Sequence, residues 1–316
     1  MTAGRALLLR LALAPVVVAA FAVLAVALPE LSGVDAARTV LATRYADGDP
    51  DPVVLAATRA ELGTNLPWPQ RIAERLGGWV QGDLGTSWVS AAPVLSVVGP
   101  ALQISLSIMA GACAGSFAVG YVAGLFAARR PGSVADRVIS ALVRVFSAVP
   151  EFALAPLLVL LFAVGLRMLP SSGWSGPAYA VLPLLALVPP LAAPIAAVTR
   201  EQAIALRGEN FATAARARGL RELRVWSVHL SRPALPAALS LLSYNAAGAI
   251  SGTAAIEVVF DIPGLGSTVV EAVRSQDVPV VGAGLVFAAV GALFVGAAGD
   301  LLGTLAEPRS RRAVRG

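Results

Sequence analysis

The sequence lacks lysine altogether and contains one cysteine and one histidine, and each scarcity excludes a class of protein. A phosphate-binding P-loop needs a lysine that reaches the β- and γ-phosphates, so the chain is not a conventional ATPase. Cys113 has no second cysteine to pair with, which excludes a disulfide or a cysteine-based metal site. The lone His229 lies in an arginine-rich stretch, away from the apolar depth where a membrane protease needs its histidine. We therefore expect no catalytic centre, no metal site and no cofactor.

Charged residues are also scarce, because they make up only 14% of the 316 residues while 57% are hydrophobic, and mean hydropathy is +0.77. The apolar residues fall in runs of about 20 or more, the length at which a helix crosses a bilayer. Six runs are present: residues 7–28, 99–128, 145–166, 178–199, 234–260 and 279–306. We predict an all-α integral membrane protein with six transmembrane helices. The first run exceeds the roughly 7–15-residue core of a signal peptide, which favours a retained helix.

The arginines are distributed asymmetrically about the six runs. They precede the first run, follow the second, fill the connection after the fourth and end the chain, so all four groups lie on one side of a six-span protein. The positive-inside rule makes that side cytoplasmic and places both termini there. Because the net charge of +5 has this distribution, we expect contact with membrane lipid and not with nucleic acid.

The long connection between the first two runs is expected to form a small extracytoplasmic helical cap. Within it, one face of a helix predicted from Gln70 to Gln81 carries four apolar residues: Ile72, Leu76, Trp79 and Val80. Gly82 begins the turn that ends this helix. The chain is thereby divided into an N-terminal transmembrane helix, the cap, a five-helix core with a cytoplasmic loop, and a basic tail: residues 1–28, 29–98, 99–306 with the loop at 200–232, and 307–316.

The cytoplasmic loop at residues 200–232 contains the pattern of a short helix. Glu209 and Asn210 are typical of a helix start, and Gly219 is typical of the residue just past a helix end, where φ is positive.

The composition of this short helix favours a protein partner. Ala212 and Ala215 permit a close backbone approach, and Arg216 and Arg218 offer bidentate contacts. A helix that lies on lipid usually presents several large apolar side chains, whereas this one has only Phe211. Docking into a protein groove therefore fits better.

The loop resembles the EAA loop of the membrane subunits of ABC importers, in which a short helix seats in a cleft of the cytoplasmic ATPase. The stretch from Phe211 to Leu220, followed by His229 and Arg232, is similar to the B-type permease of the dipeptide/oligopeptide/nickel family. Further matching segments follow in family order from end to end: Gly48-Asp49-Pro50, Arg59–Gly63, Gly82–Ser87, Glu257–Phe260, Pro263–Gly266 and Glu307-Pro308-Arg309. The chain departs from the family pattern at Glu151, at Pro233 and in an insertion over residues 30–47, which leaves the substrate and the fine geometry of the loop open.

The resemblance implies a type I ABC importer permease fold in a bacterial cell membrane. The chain would pair with a C-type permease, bind two cytoplasmic ATPase domains and receive its cargo from an extracytoplasmic substrate-binding protein. The partners would hydrolyse ATP, and the pathway would carry di- or oligopeptides or a related solute such as a nickel complex or glutathione. Coupling to the ATPases would use a set of loop residues: Glu209, Asn210, Ala212, Ala215, Arg216, Arg218, Gly219 and His229.

Four residues within the apolar runs are candidates for the translocation pathway or its gate: Pro150, Glu151, Asn245 and Glu257. An ionisable group at the helix centre costs roughly 2.5–3.5 kcal/mol on insertion scales, so such a group needs a reason to be there. For Glu257 a structural role is favoured, whereas Glu151 fits either role. A proton-coupled secondary transporter that uses these acids as a relay is the alternative function, although the inverted repeats typical of such transporters are not evident.

Overall fold

The computed structural model describes residues 15–25, 27–28, 31, 33–44, 51–62 and 67–306. These residues form helices and no strand, with one isolated bridge between Thr86 and Pro93. Two of the helices continue as π-helical turns, over Val159–Gly165 and Val225–Leu230. The helices are α1 Pro15–Ala25, α2 Ala36–Arg44, α3 Pro52–Glu61, α4 Trp68–Val80, α5 Val94–Ala128, α6 Val134–Ala148, α7 Glu151–Leu158, α8 Pro177–Arg207, α9 Asn210–Ala217, α10 Glu222–Arg224, α11 Ser231–Val259, α12 Leu265–Arg274 and α13 Val278–Ala306. The predicted all-α fold is confirmed.

Three of the described helices are long and apolar enough to cross a membrane: α5, α8 and the Val278–Val295 part of α13. A fourth crossing is added if α6 and α7, which are bent by 103° at their junction, are taken together as one span. Part of the predicted first span lies outside the described residues. Of that run, the structure describes only α1 and residues 27–28.

The predicted third run, residues 145–166, is not one straight helix. Helix α6 ends at Ala148, Val149 is extended with φ −96° and ψ 118°, and α7 starts at Glu151 after Pro150. Proline disfavours the α conformation in the residue before it and has no N–H to donate, so the helix stops there. The apolar run therefore continues across a proline that ends one helix and begins another.

The chain separates into two compact units, of which the first contains the described residues 106–262 and 292–306. Here α8 packs against α6, α7 and α11. It also approaches α5 closely, since a Cβ built on Gly120 or Gly124 would lie 2.5 Å from the carbonyl oxygens of Ala192 and Ala196 respectively. Glycine at these two positions lets the helix backbones touch, as small residues commonly do between membrane helices.

The second unit contains the described residues up to 105 together with residues 263–291. Its largest apolar cluster joins α5, α12 and α13: Val94, Val98, Leu265, Ala272, Val280, Val281 and Ala283. The start of α13 is tied to the segment after α4, because buried Asp277 accepts hydrogen bonds from the Ser87 hydroxyl and, at 3.1 Å, from the Trp88 N–H.

Helices α2 to α4 of this second unit lie in the segment predicted as a cap. Arg59 of α3 donates to Asp35, which precedes α2, at 2.5 Å, and this hydrogen bond lowers the pKa of the Asp35 carboxyl. Helix α4 ends at the predicted place, with Gly82 at φ +86° in the turn that follows. Of the four residues predicted to line its apolar face, Val80 is 89% exposed. Its position lies about 80° around the helix from that of Ile72, at the edge of the apolar face.

Candidate functional site

Helix α9 in the loop after α8 begins and ends where its sequence predicts. Glu209 is the residue before its first turn, and the helix stops at Ala217, with Gly219 at φ +75°. The Gly219 N–H donates to the Arg216 carbonyl at 2.9 Å and the Leu220 N–H to the Ala215 carbonyl at 3.3 Å. These two bonds form a Schellman motif, which requires a left-handed residue at the position of Gly219.

The two alanines at the centre of α9 face inward. Ala212 is 0% and Ala215 is 4% exposed, in one apolar cluster with residues of α5, α8 and the π-helical turn: Ala128, Ala203, Val225, Trp226 and Leu230. Because a larger side chain would not fit there, these alanines hold α9 close to the rest of the unit. The exposed face of α9 is formed by other residues: Phe211, Thr213, Ala214, Ala217 and Arg218.

The two arginines of the predicted pair have different surroundings. Arg216 donates from Nε and Nη2 to the Glu222 carboxylate at 3.2 Å each, and from Nη1 to the Arg207 carbonyl at 3.2 Å. Glu222 also accepts from the Trp226 indole N–H at 3.2 Å, and the Arg216 guanidinium lowers the pKa of its carboxyl. Arg216 therefore braces the loop internally, whereas Arg218 is exposed.

His229 lies in the π-helical turn after α10. Its Nδ1 is buried and has no hydrogen-bond partner among the described residues. Its place in the turn that carries Val225, Trp226 and Leu230 puts it beside the cluster that seats α9.

An ion pair that the sequence did not reveal joins α6 to α8. Asp136 is 3% exposed and accepts from Arg200 Nε at 2.5 Å, from Arg200 Nη2 at 2.9 Å and from the Gly132 N–H at 2.8 Å. Ser133 caps α6 by accepting from the Asp136 N–H. The Ser133-x-x-Asp136 spacing signals a helix start, but it contains nothing that identifies a partner 64 residues away.

The candidate pathway residues lie on α7 and α11 or beside them. Pro150 is the residue before α7, and Glu151 is its first residue. The Glu151 carboxylate lies against Gly252 of α11, where a Cβ would come within 3.1 Å of Glu151 Cδ and overlap Oε1. Asn245 lies seven residues before Gly252, on the same helix face, and its Nδ2 is buried without a partner among the described residues.

Glu257 lies five residues after Gly252 in α11 and is 1% exposed. The structure therefore places the Glu151 side chain against α11, the helix that carries Asn245 and Glu257. The residues predicted for coupling lie around α9.

Comparison with known proteins identifies the family. The family model described as the binding-protein-dependent transport system inner membrane component matches residues 120–312, more than half of the chain. The chain belongs to this family. Its members are inner-membrane components of transport systems, which agrees with the apolar helices α5, α8 and α13.

Relatives with assigned functions cover most of this permease. A probable peptide ABC transporter permease of Sinorhizobium fredii is 29% identical over 288 residues, covering 86% of this chain and 92% of the relative. The oligopeptide transport system permease OppB of Salmonella typhimurium is 32% identical over 229 residues, covering 72% and 75%. The metal-staphylopine import system permease CntB of Staphylococcus aureus is 27% identical over 273 residues, covering 86% and 88%.

These matches confirm the predicted family and function. The chain is a membrane permease of the DppB/OppB-like kind, a subunit of a binding-protein-dependent ABC importer. Such an importer works with ATPase and substrate-binding partners, and its permeases are the transmembrane components. The proton-coupled alternative finds no support among the relatives.

Proposed function

We propose that this permease carries short peptides or a related small solute across a bacterial cell membrane, as one of two non-identical membrane subunits. The names of its relatives support the substrate class, because two of the three denote peptide systems and the third a metal–staphylopine complex. A nickel complex or glutathione belongs to the same range of small solutes. A C-type permease would complete the pathway.

The proposed topology has six transmembrane helices in a type I importer fold, with both termini cytoplasmic. Helices α5, α8 and α13 and the bent pair of α6 and α7 support four of them, and the apolar runs at residues 7–28 and 234–260 support the other two. The arginine groups support the orientation. Helices α2 to α4 would then form the extracytoplasmic cap within residues 29–98, ahead of the core at 99–306 and the basic tail at 307–316.

Coupling is proposed to occur through the exposed face of α9, which would dock in a cleft of a partner ATPase. The observation that carries this proposal is the seating of α9: Ala212 and Ala215 are buried against its own unit, and the opposite face is free for a partner. Arg218 on that face offers a guanidinium for bidentate contacts. Glu209 and Gly219 set the two ends of the helix and therefore its direction.

A continuous chain of contacts supports transmission from α9 to the proposed pathway. Arg216 joins α9 to the last residue of α8, and Arg200 of the same helix holds Asp136 at the start of α6. Helix α6 is followed by Pro150 and then by Glu151, the first residue of α7, whose carboxylate packs against Gly252 of α11. A displacement of α9 by closing ATPase domains would thus reach Glu151, Asn245 and Glu257, the residues proposed to line or gate the pathway.

The experiment that tests the coupling proposal replaces Gly219 by glutamine. The left-handed conformation costs a non-glycine residue roughly 1–2 kcal/mol, and no atom lies within 4 Å of the Cβ position, so the chain should still fold and insert. The matched control is Gly82→Gln, because Gly82 has φ +86° and an equally open Cβ position but lies in the proposed cap.

The measurements are co-purification of the ATPase subunits and ATP hydrolysis stimulated by the binding protein. We expect Gly219→Gln to reduce both several-fold, because the helix is re-aimed and a side chain enters the docking cleft, while Gly82→Gln leaves both near wild type. Ala214→Glu, on the exposed face, should act like Gly219→Gln. Normal assembly and turnover in both α9 variants would exclude α9 as the coupling element.

A further inference from the structure

The second unit contains a cavity of about 360 Å³ that has no part in coupling or in the proposed pathway. Helix α4 and the turn after it form most of its wall, with contributions from Ala25 of α1 and Pro279 of α13. Its chemically distinctive lining consists of two indoles, two carboxylates, a guanidinium and a hydroxyl: Trp79, Trp88, Glu74, Asp83, Arg75 and Thr86.

The walls of this cavity are fixed by hydrogen bonds. The Asp83 N–H donates to the Gly78 carbonyl at 2.9 Å, and Asp83 Oδ1 accepts from the Gly85 N–H at 2.9 Å. The Gly85 carbonyl in turn accepts from the Val94 N–H at 2.9 Å, and the backbone N–H of Trp88 donates to buried Asp277. The cavity is therefore largely preformed, and a ligand would not have to order it on binding.

Its charge and surface predict the kind of ligand. Glu74 and Asp83 outnumber the single guanidinium of Arg75, so the ionised lining has a net charge of −1. Carboxylates bind an ammonium group through charge-assisted hydrogen bonds, and indole faces attract cations as well as apolar groups. The complementary ligand has a primary ammonium group beside an apolar body.

The size of the cavity favours a small molecule over a protein segment. A volume of about 360 Å³ lies at the lower end of the range for small-molecule sites, roughly 300–1,000 Å³. A stable protein interface buries roughly 800 Å² on each partner, which is a much larger surface than such a cavity offers.

We propose that this cavity binds a short peptide through its free amino terminus, with Glu74 and Asp83 contacting the ammonium group and Trp79 and Trp88 contacting the side chains. The choice of a peptide among possible amines rests on the proposed substrate class. The site is additional to the translocation pathway and shares no residue with it, so it would retain substrate on the permease before or after transport.

The test is calorimetric titration of leucyl-leucine into the full-length permease in lipid nanodiscs, which leave both membrane faces accessible. N-acetyl-leucyl-leucine, which lacks the ammonium group, should bind at least about tenfold more weakly. The affinity of the Glu74→Gln/Asp83→Asn variant for leucyl-leucine should fall by a similar factor. Asparagine retains the oxygen that accepts from the Gly85 N–H, and Glu74 is exposed, so this variant should keep its fold. Glu271→Gln, an exposed acid of α12 outside the cavity, is the matched control and should bind normally.

Three results would overturn the proposal. The first is equal affinity for the free and the acetylated dipeptide, or no binding of either. The second is an affinity that falls in Glu151→Gln but not in Glu74→Gln/Asp83→Asn, which would assign the binding to the pathway and leave the transport function intact. The third is impaired transport with unchanged dipeptide affinity in the cavity variant, which would make this surface a protein contact.

Discussion

Breaking the ion pair between Asp136 and Arg200 should destabilise the permease more than any other single change at an ion pair of the described residues. Asp136→Ala removes the acceptor of two hydrogen bonds donated by the Arg200 guanidinium, at 2.5 and 2.9 Å, and of one donated by the Gly132 N–H at 2.8 Å. The side chains of Asp136 and Arg200 are only 5% and 30% exposed, so water replaces the lost partner poorly.

Removing one member of a buried ion pair typically costs 3–5 kcal/mol. Because the Arg200 side chain retains some access to water, the lower end of this range applies. We expect Asp136→Ala to lower the free energy of unfolding by about 3 kcal/mol. For a chain of this length that corresponds to a fall in the melting temperature of roughly 4–5 °C. Arg137→Ala is the matched control, since Arg137 is exposed on the same helical turn and, within the described part of the chain, its side chain bonds only the Gly132 carbonyl. The free energy of unfolding of Arg137→Ala should lie within about 0.5 kcal/mol of the wild-type value.

A double-mutant cycle measures the pair itself. Asp136→Ala, Arg200→Met and the double variant are unfolded thermally in the same detergent at the same scan rate, with ATPase co-purification as a second readout. The double variant should be less destabilised than the sum of the single variants, with a coupling energy of about 2–3 kcal/mol. Additive effects, with coupling below about 0.5 kcal/mol, would show that the pair contributes nothing to stability and would remove one step of the proposed transmission from α8 to α6.

Three further predictions concern orientation, energy source and the pathway. Cysteines placed at Gln81 and Gly176 in a background without the native cysteine should react with a membrane-impermeant reagent from outside, and one at Ser310 only after permeabilisation; labelling of the last in intact cells would overturn the topology. Uptake into vesicles should require ATP and the partner ATPases and survive collapse of the proton gradient, whereas gradient-driven uptake without ATP would refute this. Gly252→Ala should slow transport because its Cβ displaces the Glu151 carboxylate from α11, and Glu151→Ala in the same chain should slow transport no further than Glu151→Ala alone. A double variant clearly slower than Glu151→Ala alone would contradict that contact.

The features that sequence predicted well depend on local chemistry. Helix α9 starts after Glu209 and ends before Gly219. The end was predictable because the residue that follows a helix often needs positive φ, which glycine tolerates. The long apolar helices follow from run length for the same reason. Family membership was accessible because the matching segments extend along the whole chain.

The features that sequence missed depend on contacts between distant residues. Nothing near Asp136 indicates Arg200, since an acid in the first turn of a helix is already explained by the helix dipole. The inward orientation of Ala215 depends on Trp226 and Val225, which fold back under α9 after Gly219. The break at Pro150 follows from local rules, because proline disfavours the α conformation in the residue before it, whereas the 103° bend between α6 and α7 depends on how the two helices pack.

These contacts join the loop to the long helices, which supports the proposed coupling. Two hydrogen-bonded links begin on α8: the one at Arg200 reaches α6, and the one at the Arg207 carbonyl reaches α9. The two residues are seven positions apart, which is about 10 Å along one helix face. Because α8 is also in close contact with α5 at Gly120 and Gly124, the C-terminal part of α8 is held on several sides. Under the proposed coupling, a push on α9 would reach α8 as a rigid displacement, and α6 and α7 would follow through Asp136 or break a buried ion pair.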